Sequence, residues 1–160
     1  MWSQTEKNDF LYEQDRVRRW LERQGAEIYY PTPSEREIVR ESLKDIPRLF
    51  PELFAHKQGL RLIYLYEQGN QEQDALCWRD ATTDGRGTLY AVGIARGALA
   101  YPEYLKLIFL HELAHIAVPC ERGEHSAAYC RYLDGMIARF NAATGSQLVN
   151  DYDENGRKTS

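Results

Sequence analysis

The chain has no long hydrophobic run. No stretch approaches the roughly 18 apolar residues of a membrane-spanning helix, so a membrane protein is not expected. The most apolar segment, around residues 107–118, is interrupted by His111, Glu112 and His115. The opening residues MWSQTEKNDF lack the apolar centre of a secretory signal. Cysteine is scarce: Cys77, Cys120 and Cys130 are odd in number and form no CxxC pair, which argues against a disulfide framework or a cysteine zinc ribbon. The expectation is a cytoplasmic protein with free thiols. A basic excess is also missing, with 20 Lys and Arg against 24 Asp and Glu and a net charge of −4. Nucleic-acid binders draw much of their affinity from neutralised phosphates, so a nucleic-acid partner is not expected. No internal repeat is visible.

What the chain does have is the composition of a globular domain: 160 residues, 43% hydrophobic and 28% charged, enough to bury a core without staples. The reading is a single domain over 1–144, followed by a polar, flexible tail over 145–160, GSQLVNDYDENGRKTS. Residues 5–24 carry Phe10, Val17 and Leu21 near one helical face, and Gly25 suits the stop. A second helix follows YYPTP, with Ser34 and Glu37 spaced as a capping box, an apolar stripe of Ile38, Val39, Leu43 and Ile46, and Pro47 at its end. Three strands are predicted at 60–67, 74–81 and 89–95, with turn chemistry (TTDGRGT) over 82–88. Neighbouring strands with one tight connection imply a small, mostly antiparallel sheet. Pro102 can open a helix and Pro119 cannot continue one, which brackets a core helix at about 102–118. Tyr129, Leu133, Ile137 and Phe140 mark a last helix over 126–141. The fold class is therefore α+β: N-terminal helices, about three strands, a central helix and a C-terminal helix.

The chemistry concentrates in HELAHIAVPCERGEH, residues 111–125, which holds three of the four histidines. His111 and His115 are four apart on a helix, so their rings share a face about 6 Å apart along the axis, within reach of one ion. Zinc takes neutral imidazole at about 2.0–2.1 Å and prefers a tetrahedron. Glu112 lies beside the first histidine, placed to take a proton from water that the metal activates. Two histidines and a glutamate in an apolar helix cost several kcal/mol without partners, and a metal removes that cost. Chance gives HExxH in roughly one such chain in a hundred. A catalytic zinc site usually needs a third protein ligand. His125 is the first choice: Pro119 and Gly123 let the chain turn back, and the start of the next helix favours neutral imidazole. Glu121, Glu124 and Cys120 compete for the position.

HELAH, a short loop and HSAAYC together resemble the zincin metallopeptidases, most closely the SprT-like branch. That branch reads HExxH, a variable loop, then His-Gly-x-x-aromatic at the next helix. Here the second half is His125-Ser126-Ala127-Ala128-Tyr129, with Ser126 in the usual glycine place and the aromatic kept. The resemblance covers roughly residues 60–140. In size and layout the chain also resembles small metallohydrolases of actinobacteria and their phages. The metzincin pattern would need a histidine where Glu121 stands. Regulatory proteases of the ImmA type use a downstream glutamate as third ligand, which would promote Glu124.

The resemblance implies one Zn2+ per chain, a protein or peptide substrate, and hydrolysis of the peptide bond with Glu112 as general base. It also implies a donor for the oxyanion, with Tyr129, Arg131 and Tyr132 near in sequence, Tyr129 and Tyr132 being preferred. An extended substrate would pair with an edge strand above the metal. TLYAVGIARG is the candidate, and Val92, Gly93, Ile94 and Ala95 the expected contacts. The alternative is a zinc-containing regulatory or interaction protein, repressor-processing or non-proteolytic, with little general protease activity.

Overall fold

The structure is a computed structural model, and it describes residues 15–23, 25, 27–54, 59–66, 75–81, 87–118 and 125–150. An N-terminal helix, α1, is described over residues 15–23. A two-residue strand β1 (Ile28–Tyr29) leads to α2 (Pro33–Leu43), the short α3 (Ile46–Leu49) and a 3-10 turn over Pro51–Phe54. The strands β2 (Gly59–Tyr66), β3 (Ala75–Ala81) and β4 (Thr88–Ala95) come next. A second 3-10 turn, Arg96–Ala100, leads into α4 (Pro102–Ala117), and α5 (Ala127–Thr144) closes the fold. The class is α+β, as the sequence predicts. Residues 5–14 of the predicted first helix and 82–86 of the predicted turn lie outside the described residues. No described helix is long and apolar enough to cross a membrane.

The sheet has four strands in the order β1-β2-β4-β3. β3 and β4 pair antiparallel, and so do β1 and β2, but β2 and β4 run parallel. The sheet is small, as expected, and two of its three pairings are antiparallel, but the parallel β2–β4 pairing makes it mixed and β1 adds a fourth strand. β1 is too short to leave a periodic signal. β4 inserts between β2 and β3, so sequence neighbours are not all sheet neighbours, and β3 becomes an edge.

Burial on both faces explains why β4 reads as an almost continuous apolar run. Leu89, Ala91 and Ala95 face the layer that contains α1, where Val17 and Leu21 cover them together with Leu62, Tyr64 and Tyr66. Val92 and Ile94 face the main core, formed by α2 to α5 with Leu60 and Leu65. Leu60 and Leu62 lie in different layers despite being two apart. A register irregularity between them in the β2–β4 pairing reverses the alternation. Gly93 is required on the α1 side: a Cβ there would stand 2.5 Å from the ring of Tyr64, its partner across the strands.

The second helix begins two residues earlier than its sequence suggests. The capping box is Thr32 with Glu35, not Ser34 with Glu37. Thr32 accepts from the Glu35 amide at 3.2 Å, and Glu35 accepts from the Thr32 amide at 2.9 Å. Pro33 fits the first helical position, where its missing N–H costs nothing, and this sets the frame. Glu35 also pairs with Arg96 at 2.5 Å, while Arg96 lies 4.0 Å over the ring of Tyr29. The chain leaving β4 is thereby fixed just before α4 begins.

α4 is buried nearly all round through Leu105, Ile108, Phe109, Leu110, Leu113, Ala114 and Ile116. Each large apolar side chain so buried contributes about 1.5–3 kcal/mol. α4 packs against α5 and against β3. Gly145, at φ 74°, ends α5 in the left-handed conformation that glycine adopts without strain. Residues 145–150, expected as the start of a flexible tail, are fastened to α5. The Asn141 side chain donates to the Leu148 carbonyl at 2.9 Å and accepts from its amide at 3.0 Å, and Leu148 joins the main core. Residues 151–160 lie outside the described residues.

Candidate metal centre

Helix geometry brings His111 and His115 together on one face of α4, their ring centroids 5.1 Å apart. His125 arrives from the start of α5, 4.8 Å from the His111 ring and 5.1 Å from that of His115. One nitrogen from each ring can be chosen so that all three lie within 4.8 Å of one another. The Nε2 atoms of His111 and His125 are 3.1 Å apart. Two nitrogens bound at 2.0–2.1 Å to one tetrahedral zinc stand about 3.3 Å apart, so this spacing suits a shared ion. Among the described residues this is the group of side chains that could hold a metal. Cys120, Glu121 and Glu124, the competing ligands, lie outside the described residues.

The start of α5 explains how His125 is aimed. Ser126 is the N-cap, and its hydroxyl accepts from the Tyr129 amide at 3.1 Å. The Cys130 amide donates to the Ser126 carbonyl at 2.9 Å. The buried Cys130 thiol faces the His125 carbonyl at 3.8 Å. A serine hydroxyl at this place therefore caps the helix that carries the third ring, which a glycine side chain could not do.

The electrostatics suit neutral ligands. Burial, and secondarily the neighbouring His125, pushes the His115 imidazole down to about 4. Burial also lowers His125. Both rings are thus in the unprotonated form at neutral pH, the form that binds metal. Glu112 is 7% exposed and is the buried charged-type side chain among the described residues. Burial pushes its carboxyl up to about 8. No described residue hydrogen-bonds to it, an arrangement that costs several kcal/mol for a carboxylate. A dication held by the adjacent histidines offsets that cost, so the donor set and the orphaned carboxyl both fit a metal. The Cys77 thiol of β3 is raised by burial first and by Glu112 second, which places the edge strand beside the glutamate.

No family model matches the chain. Neither a curated protein nor a solved structure matches it. The chemistry therefore rests on the side chains themselves.

Two expected roles are corrected. Val92, Gly93 and Ile94 belong to a strand paired on both sides, with Ile63, Tyr64 and Leu65 in parallel and Cys77, Leu76 and Ala75 antiparallel. Ala95 pairs with Tyr66, and all four residues are buried. Their main-chain groups are used inside the sheet, so β4 is not an edge strand; among the described strands β3 lies outermost on that side. Tyr129 is fully buried, and its hydroxyl donates to the His111 carbonyl at 2.7 Å, so it is committed and unavailable as an oxyanion donor. Tyr132 is partly buried against the core, with Glu52 and Arg139 as charged neighbours.

Proposed function

We propose that the chain is a zinc metallopeptidase in which His111, His115 and His125 hold one zinc ion and Glu112 is the general base for peptide-bond hydrolysis. The observation that carries this reading is the convergence of three imidazoles within 4.8 Å beside a buried glutamate to which no described residue hydrogen-bonds. When bound, zinc supplies a Lewis acid that polarises a carbonyl and acidifies water. Beside a dication the carboxylate form of Glu112 is favoured, and that form can take a proton from attacking water and pass it to the leaving amine. His115 and His125 need no deprotonation to ligate, since burial already keeps both neutral.

An extended peptide is the substrate that β3 suits. Its outer edge is open to main-chain pairing among the described strands, and its Cys77 neighbours Glu112. The order His-Glu-x-x-His, loop, His-Ser-x-x-Tyr supports the zincin assignment and its SprT-like branch. A non-catalytic zinc protein would have no use for a buried Glu112 to which no described residue hydrogen-bonds.

Elemental analysis of the purified protein tests the metal: about one zinc per chain is expected, and no divalent metal would remove the reading. Glu112→Gln tests the reaction. It is expected to retain zinc and lose cleavage of a peptide-library substrate by orders of magnitude. Cleavage at the wild-type rate would overturn the role of Glu112.

A further inference from the structure

We propose that Tyr129 is the positioning residue of the metal centre, holding the three histidines in ligating arrangement before a metal arrives. The proposal rests on the zinc reading above and concerns how the site is built. Tyr129 is fully buried where α4 and α5 meet. Its ring stacks on His115 with centroids 4.5 Å apart and planes 28° apart. It lies 5.0 Å from the His125 ring and 5.5 Å, edge to face, from the His111 ring. One side chain therefore touches all three ligands, which the sequence separates by up to fourteen residues.

The hydroxyl adds a fixed point. It donates to the main-chain carbonyl of His111 at 2.7 Å. A carbonyl has two lone pairs, so this bond can coexist with the helical one. It ties the turn of α4 that carries the first ligand to the turn of α5 that follows the third. The Tyr129 amide, bonded to the Ser126 hydroxyl, locks that turn from the other side. Tyr129 is part of the main apolar core, but its ring also meets the three imidazoles, and its polar tip is spent on the backbone of one of them.

Fixing ligand rotamers in advance lowers the ordering cost of binding, and partners that orient ligands typically contribute 10–100-fold to metal affinity. Tyr129→Phe keeps the ring and loses the bond to His111. Tyr129→Leu loses both. Zinc affinity is measured by competition with a chromophoric chelator, and ligand geometry by the visible spectrum of the cobalt(II)-substituted protein. Apo variants are first checked for fold by circular dichroism. The control is Phe140→Leu, a core change on α5 at a residue none of whose ring contacts involves the histidines. Tyr129→Phe is expected to weaken zinc by roughly threefold to tenfold and Tyr129→Leu by roughly 10–100-fold, with altered cobalt spectra. Phe140→Leu is expected to lower the melting temperature and leave affinity and spectrum unchanged.

Wild-type affinity and spectrum in Tyr129→Phe and in any folded Tyr129→Leu would overturn the positioning role. If Tyr129→Leu does not fold, the Phe variant alone decides. Equal loss of affinity in the Phe140 control would overturn it too, by assigning the effect to general stability. Absence of metal from the wild-type protein would sink the zinc reading and this role with it, whereas wild-type zinc with unaltered Tyr129 variants sinks the role alone.

Discussion

Replacing Glu112 by Gln in the metal-free protein should change how stability depends on pH. The Glu112 carboxyl is pushed up to about 8 by burial, against an ordinary value of 4.5. A folded-state value above the unfolded one means that the folded chain holds an extra proton between the two. Stability from this group is therefore present below the unfolded value and lost as pH rises towards 8. From pH 6.5 to pH 8 the slope of 1.36 kcal/mol per unit, reduced by half-ionisation at the upper end, gives a loss of about 1.5 kcal/mol. Glutamine cannot ionise, so Glu112→Gln should lack this loss. The assay is urea unfolding of chelator-treated protein at both pH values, comparing the wild-type difference with that of the variant. Other titrating groups contribute equally to both chains and cancel. Parallel behaviour of the two chains would refute the claim that the carboxyl is buried and unpartnered. Zinc should flatten the wild-type dependence, because a neighbouring dication favours the carboxylate.

Three further outcomes are expected. His125→Ala should weaken zinc by at least about tenfold, or 1.4 kcal/mol, in a chelator competition, with Glu124→Ala changing it much less; the reverse order would replace the third ligand. Gly93→Ala should destabilise by about 1–3 kcal/mol in urea unfolding, because its Cβ would meet the Tyr64 ring at 2.5 Å, and Tyr64→Leu in the same chain should recover part of the loss. Asn141→Ala should cost about 1–3 kcal/mol by leaving the Leu148 amide and carbonyl without their partner, and increased protease cutting after residue 144 should accompany it.

The helices that carry the site were legible because their signals are local. Pro102 and Pro119 bracket α4, the His-Glu-x-x-His spacing is fixed by one helical turn, and Tyr129 to Phe140 repeat at helical period. His125 was legible for the same reason: its loop and helix start are adjacent in sequence to His111 and His115, and the three rings come together. What depends on distant partners was not. The pairing of β2 with β4 joins residues about thirty apart, which no local spacing encodes, and so β4 is expected at an edge although it lies between β2 and β3. Tyr129 is expected as an oxyanion donor from its place four residues past His125, but its hydroxyl donates to the His111 carbonyl, a contact that no spacing encodes. The capping frame of α2 was missed by two residues because Thr32 and Ser34 both offer a hydroxyl three residues before a glutamate, and Pro33 decides between them.

The strand order also sets an order of assembly. The β3–β4 pairing closes where Ala81 meets Thr88, seven residues apart, and the histidines of α4 and α5 meet across fourteen. The β2–β4 pairing joins Tyr66 to Ala95, 29 residues apart. Loop-closure entropy makes that last pairing dearer than the β3–β4 contact by about 1.3 kcal/mol. The segment from β3 to α5 is thus the part whose contacts are nearest along the chain, and it holds the edge strand, the glutamate and all three rings. The three clustered histidines lie in the part whose contacts close over the shortest stretches of chain, while β2 joins it through a long-range parallel pairing, the kind that is intrinsically slow to form.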